Sequence, residues 1–181
     1  EVYYYVRHPK KEDAVEIFDR ITKAAEGAAL GTGTTMQFEI IGGTHDLLLN
    51  KTLNNEINKN LILVGGIAYT PEEIEFAKKI QSGLKFTTPS YLEAQKIQPM
   101  IIPENSSPGS TDVGDVSYIV PTVGFSTATW VPGTPAHSWQ AVASGGTDIG
   151  IKGMMVAAKT LTNMAIDLLN NPALIDSTKK E

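Results

Sequence analysis

Between Val2 and His8 the apolar and polar positions alternate. Val2, Tyr4 and Val6 fall on one side, Tyr3, Tyr5 and Arg7 on the other, which predicts a β-strand ended by Pro9. From about Glu12 to Leu30 the period lengthens to that of a helix, with Ala14, Ile17, Phe18, Ile21, Ala25 and Ala28 on one stripe. Glu12, Asp13 and Glu16 suit the positive end of its dipole, and Gly31 and Gly33 mark its end. Alternation returns over Thr34 to Ile41, so residues 1–50 read as strand–helix–strand. Further helices are predicted over about Thr52 to Val64, from Thr70-Pro71-Glu72-Glu73 to about Gln81, and from about Thr147 to Asn170. The second of these opens with a capping box and a proline at its first position. In the last, Ile151, Met154, Met155, Ala158, Leu161, Met164, Ala165 and Leu168 form a wide apolar face expected to pack as core.

Residues 97–147 differ in kind. Glu104, Asp112 and Asp115 are their only formal charges, and Gly, Pro, Ser and Thr abound. Aromatic residues and the short apolar runs Val116 to Val120 and Thr127 to Val131 predict buried strands joined by long functional loops.

Composition narrows the function. The 181 residues carry 15 Lys+Arg against 20 Asp+Glu, a net charge of −5, which lacks the basic field of a non-specific nucleic-acid binder. No apolar run approaches the roughly 18 residues of a membrane span. Without cysteine there is no disulfide, thiolate ligand or thiol nucleophile. The absence of cysteine and of a signal pattern predicts a cytoplasmic protein. The chain opens on Glu1 within a predicted strand, which suggests a fragment.

Three histidines are candidates for metal or acid–base chemistry. His8 reads as an ordinary surface residue. His45, in Gly42-Gly43-Thr44-His45-Asp46, sits where ligand-contacting loops leave strands, and equally suits a loop histidine bonded to Asp46 or solvent. His137, in Gly133-Thr134-Pro135-Ala136-His137-Ser138-Trp139, follows a predicted strand on a Gly/Pro-shaped loop and is the strongest candidate. Asp112 and Asp115 could bind a metal, orient a metal-bound histidine or cap a helix. No phosphate loop, dinucleotide fingerprint, nucleophile elbow or His-Glu-x-x-His pair occurs.

Several motifs in order resemble the C-terminal part of M20-family metallopeptidases, and most closely the aminobenzoyl-glutamate hydrolase group of amidohydrolases. They are Ser110-Thr111-Asp112-Val113-Gly114-Asp115-Val116-Ser117, Gly133-Thr134-Pro135-Ala136-His137-Ser138-Trp139-Gln140, Lys152-Gly153-Met154 and Ala157-Ala158-Lys159. Tyr3-Tyr4-Tyr5-Val6-Arg7, Gly27-Ala28-Ala29-Leu30, Thr32-Gly33-Thr34-Thr35 and the stretch from Gly42-Gly43 to Asn50 fit as well.

The resemblance implies that residues 1–50 are the second half of a lid and dimerisation domain. Residues 51–181 would be the C-terminal part of a zinc-peptidase-like α/β catalytic domain. It implies two divalent metals, zinc or manganese, per full-length subunit. Small N-acyl or aminobenzoyl amino acids or dipeptides would be the substrates, cleaved at an amide bond by metal-activated water, in a homodimer formed through the lid. No nucleic acid or membrane partner is implied. His137 matches the family's last metal-binding histidine. Asn50 matches a lid asparagine near the substrate, and Arg7 lies where many relatives have arginine, a side chain suited to a carboxylate. Asp112 and Asp115 would support the metal site from behind its ligands. Thr111 replaces a family glutamate, and His45 has no counterpart. The other metal ligands and the general-base carboxylate of the family lie N-terminal to anything present here. The isolated chain is therefore expected to be inactive, because one histidine cannot hold two metals. The alternative is a non-catalytic oligomerisation or interaction module that pairs through its alternating edge strand.

Overall fold

A computed structural model describes residues 1–101 and 111–181. Glu104 and Ser110, the first residue of the Ser110–Val113 motif, lie outside the described residues. The helices are α1 (Lys11–Thr32), α2 (Lys51–Val64), α3 (Pro71–Ser82), α4 (Val113–Ser117), α5 (Trp139–Gly145), α6 (Asp148–Asn170) and α7 (Pro172–Lys180), with a 3-10 turn at Tyr91–Gln95.

The expected α/β fold is corrected: among the described residues the protein is helical and contains no strand. Residues 1–8 and 34–49 lack regular structure, and Val2, Tyr3, Tyr4, Tyr5, Phe38, Ile40 and Ile41 are exposed. Alternation favours a pleated, half-buried surface, but a strand exists only when its N–H and C=O groups meet a partner's. No ladder forms here, so the strand–helix–strand of residues 1–50 becomes one helix between two irregular segments. The expected strand over Val116 to Val120 begins instead inside α4, where Asp115 N–H donates to Asp112 O and Ile119 N–H to Val116 O. Thr127 to Val131 is irregular although Val131 is fully buried.

The chain divides into two compact bodies, residues 1–49 with 101–122, and residues 50–100 with 123–181. In the smaller body, α1 ends as its sequence dictates. Gly33 adopts a left-handed φ of 66° and its N–H reaches the carbonyls of Ala29 and Leu30. Phe18 meets Phe38 edge-on at 5.7 Å, yet no residue of α1 is buried.

The larger body holds the apolar core. Ile67, Tyr69, Ala77, Ile80, Ala94, Val131 and Ile149 form one cluster. Leu53, Ile57 and Met164 form a second, flanked by Val123, Phe125 and Leu168. The α3 capping box forms as its sequence predicts, and Lys152 of α6 ties in by donating to Glu73 Oε2 at 2.6 Å and to Ala68 O at 3.0 Å. Burial pushes the Glu73 carboxyl up, but the bonds from Lys152 and from Thr70 N–H outweigh it and hold the group below its usual value.

The packing of α6 also departs from expectation. Ile151, Met154, Met155 and Leu161 are about half exposed, while Ile149, Gly150, Gly153, Thr160 and Met164 are buried. A Cβ at Gly153 would run into the Ala128 carbonyl, so the small residue sets which side of this broadly apolar helix approaches its neighbours.

Candidate functional site

In the smaller body, α4 clamps the loop that carries His45. Gly114 begins the clamp: a Cβ there would overlap the backbone carbonyl of His45. That close approach brings Asp115 within reach of His45, whose backbone N–H donates to Oδ1 at 3.0 Å and whose Nδ1 lies 2.5 Å from the same oxygen. Ser117 Oγ accepts from Leu48 N–H at 2.9 Å. The Tyr118 ring packs on the imidazole at 4.9 Å between centroids, and its hydroxyl donates to Asp46 at 3.3 Å.

The far nitrogen of His45 is also engaged, since Nε2 lies 2.6 Å from Lys11 Nζ at the start of α1. An ammonium can only donate, so Nε2 accepts and Nδ1 carries the proton given to Asp115. The His45 backbone N–H, then its side chain, hold the Asp115 carboxyl below the usual range, and Lys11 adds to this. Partial burial, then Asp46, push the Tyr118 phenol up.

In the larger body, His137 lies on an exposed turn just before α5 and adopts a left-handed φ of 58°. The turn is braced on both sides. Ser138 Oγ donates to Pro135 O and accepts from Ala141 N–H as the α5 N-cap. Upstream, Gln81 Nε2 donates to the carbonyls of both Pro89 and Pro132 at 2.9 Å. An open groove of about 260 Å³ runs beside this segment, lined in part by Glu93, Thr129, Trp130 and Thr134. The Thr134 hydroxyl is buried and finds no hydrogen-bond partner among the described residues.

The other sequence candidates fall elsewhere. Asn50 is buried and fully committed: it caps α2 through Leu53 N–H at 2.9 Å and donates to Thr178 O of α7 at 2.9 Å. Arg7 is exposed on the irregular N-terminal segment. Asp112 stands at the N-cap position of α4 without making a side-chain cap bond. Asp115 is drawn to His45. Among the described residues no group of three or more His, Asp or Glu side chains could hold a metal ion, so the residues present do not fit a complete metal centre.

Over its whole length the chain aligns with a subunit of the p-aminobenzoyl-glutamate hydrolase of Escherichia coli (strain K12), with 33% identity over 204 positions that take in 42% of that protein. It aligns equally completely with Xaa-Arg dipeptidase of Mus musculus, at 28% identity over 186 positions and 35% of that protein. The chain is a relative of hydrolases. It spans less than half the length of the curated relatives it matches. No family model and no solved structure matches.

Sequence reasoning singled out His45 and Asp115 separately but did not pair them, and it missed Lys11 and Tyr118. The pair stands 70 residues apart, and no local period links such positions. The signal within reach was Gly114 beside Asp115, because a glycine flanking a carboxylate permits a backbone approach. No helix among the described residues is long and apolar enough to cross a membrane.

Proposed function

We propose that this chain is part of an M20-family metal-dependent amidohydrolase that cleaves the amide bond of N-acyl or aminobenzoyl amino acids or of dipeptides. The whole-length identity to a p-aminobenzoyl-glutamate hydrolase chain carries the reading. The second relative, a dipeptidase, supports the same broad chemistry. In this reading His137 supplies one metal ligand, and its exposed, braced turn suits that role. The remaining ligands of a two-metal zinc or manganese centre, and its general base, are supplied from beyond these 181 residues. Arg7 and Asn50 contact the substrate. For Asn50 this requires the ligand to displace the Thr178 carbonyl. Residues 1–50 belong to a lid through which two subunits pair, and 51–181 to the catalytic domain. The exposed apolar side chains of Val2 to Tyr5, Phe38 and Ile40 are consistent with assembly there.

Hydrolysis of p-aminobenzoyl-glutamate and of dipeptides by the full-length gene product, before and after chelation, tests the reading. The expected result is chelator-sensitive hydrolysis that falls at least about a hundredfold in His137→Ala, with none from the isolated chain. Full activity in His137→Ala, or turnover by the isolated chain, would refute the assignment.

A further inference from the structure

His45 links three segments of the smaller body through two nitrogens of opposite role. Nδ1–H serves Asp115 behind α4, and the Nε2 lone pair serves Lys11 at the start of α1. The imidazole is about one-third exposed, so a solvent proton can reach it. That proton can enter only at Nε2, the position Lys11 occupies.

We propose that His45 is a proton-operated latch on the first turn of α1. Neutral, it accepts from Lys11 and ties the helix start to the loop. Protonated, it presents an N–H and a positive charge to an ammonium 2.6 Å away, and the Lys11 bond is lost. The Asp115 bond strengthens in the same step, because it becomes a pair of opposite charges. Acidification thus exchanges one tether for another: the loop stays clamped to α4 while α1 is released. Every charged group facing the imidazole fits this account. Asp115 from α4 favours the cation and Lys11 from α1 opposes it. Asp46 and Glu12 carry negative charge beside Tyr118, whose ring packs on the imidazole. The clamp leaves His45 little freedom to evade the conflict, since Gly114 touches its carbonyl and Tyr118 covers its ring. The latch stands apart from the hydrolase reading, because it involves the 181-residue chain alone.

Nuclear magnetic resonance of the chain tests it. At pH 8 the imidazole nitrogens should report the Nδ1–H tautomer. Between pH 8 and pH 5 the protection of the first hydrogen-bonded amides of α1, from Ala14 N–H onward and corrected for intrinsic exchange, should fall by about three- to tenfold. Lys11→Met and His45→Gln should each abolish that fall, with circular dichroism showing the helices intact. His8→Gln should preserve it, which separates the latch from the nearby His8–Asp13 pair. The Nε2–H tautomer at pH 8, an unchanged first turn in the wild-type chain, a fall that persists in Lys11→Met, or one lost in His8→Gln would each overturn the proposal.

Discussion

The two bodies hold themselves together by different means. Every buried hydrophobic residue among those described lies in residues 50–100 and 123–181. In residues 1–49 and 101–122 the buried residues among those described are Gly114 and Ser117, and the order comes from hydrogen bonds gathered at α4. Apolar burial is non-directional and tolerates repacking, whereas a polar clamp is directional and fails when one member moves. The larger body should therefore lose stability in proportion to volume removed, and the smaller in proportion to geometry disturbed.

The strongest test of that contrast is Ile149→Ala. Ile149 is fully buried in the first cluster, and its truncation should cost about 2–5 kcal/mol in urea unfolding followed by the fluorescence of Trp130 and Trp139. If α1 loses its structure at the same midpoint, the two bodies unfold as one and the contrast fails. Next comes Gly114→Ala. One added methyl group should cost the smaller body about 1–3 kcal/mol by pushing the His45 carbonyl off α4. Hydrogen exchange should show His45 and Leu48 amides unprotected while α2 and α6 are unchanged.

Asn50→Ala should have a somewhat smaller effect, about 1–2 kcal/mol, from the lost α2 cap and the orphaned Thr178 carbonyl. Its check is exchange in α7, which should quicken more than exchange in α3. The smallest effect concerns Tyr69. Burial, with Glu73 adding, pushes its phenol up to about 12. Its folded pKa lies above the unfolded value of 10.0, so its contribution is complete below pH 10 and is lost as pH rises through 12. Ultraviolet titration should show one phenol ionising late, and Tyr69→Phe should remove that step. Because the Tyr69 hydroxyl has no partner among the described residues, the variant should also gain up to about 1 kcal/mol at neutral pH.

The helices were legible where their signals are local. The Thr70 capping box, the Gly33 terminus and the 3.6-residue stripes of α1, α2 and α6 all lie within a few residues of the structure they dictate. The strands were misread because alternation at Val2 to Arg7 and at Thr34 to Ile41 is local while strand pairing is not. Short α5 and α7 escaped notice even though Ser138 and Asn171 cap them. The turn that carries His137 was legible from Gly133 and Pro135, although the strand expected before it is irregular. The commitment of Asn50 to α7 was not, because its partner carbonyl is 128 positions away.

The left-handed backbone at His137 has an engineering consequence. Glycine would occupy that conformation without the steric cost of a Cβ, about 1 kcal/mol. Anyone ranking substitutions by stability alone would place His137→Gly near the top and delete the imidazole with it. Under the metal role proposed for His137, stability and chemistry would give opposite advice at this turn, so a stabilised version of this chain should leave position 137 alone and draw its gains from the half-exposed apolar face of α6.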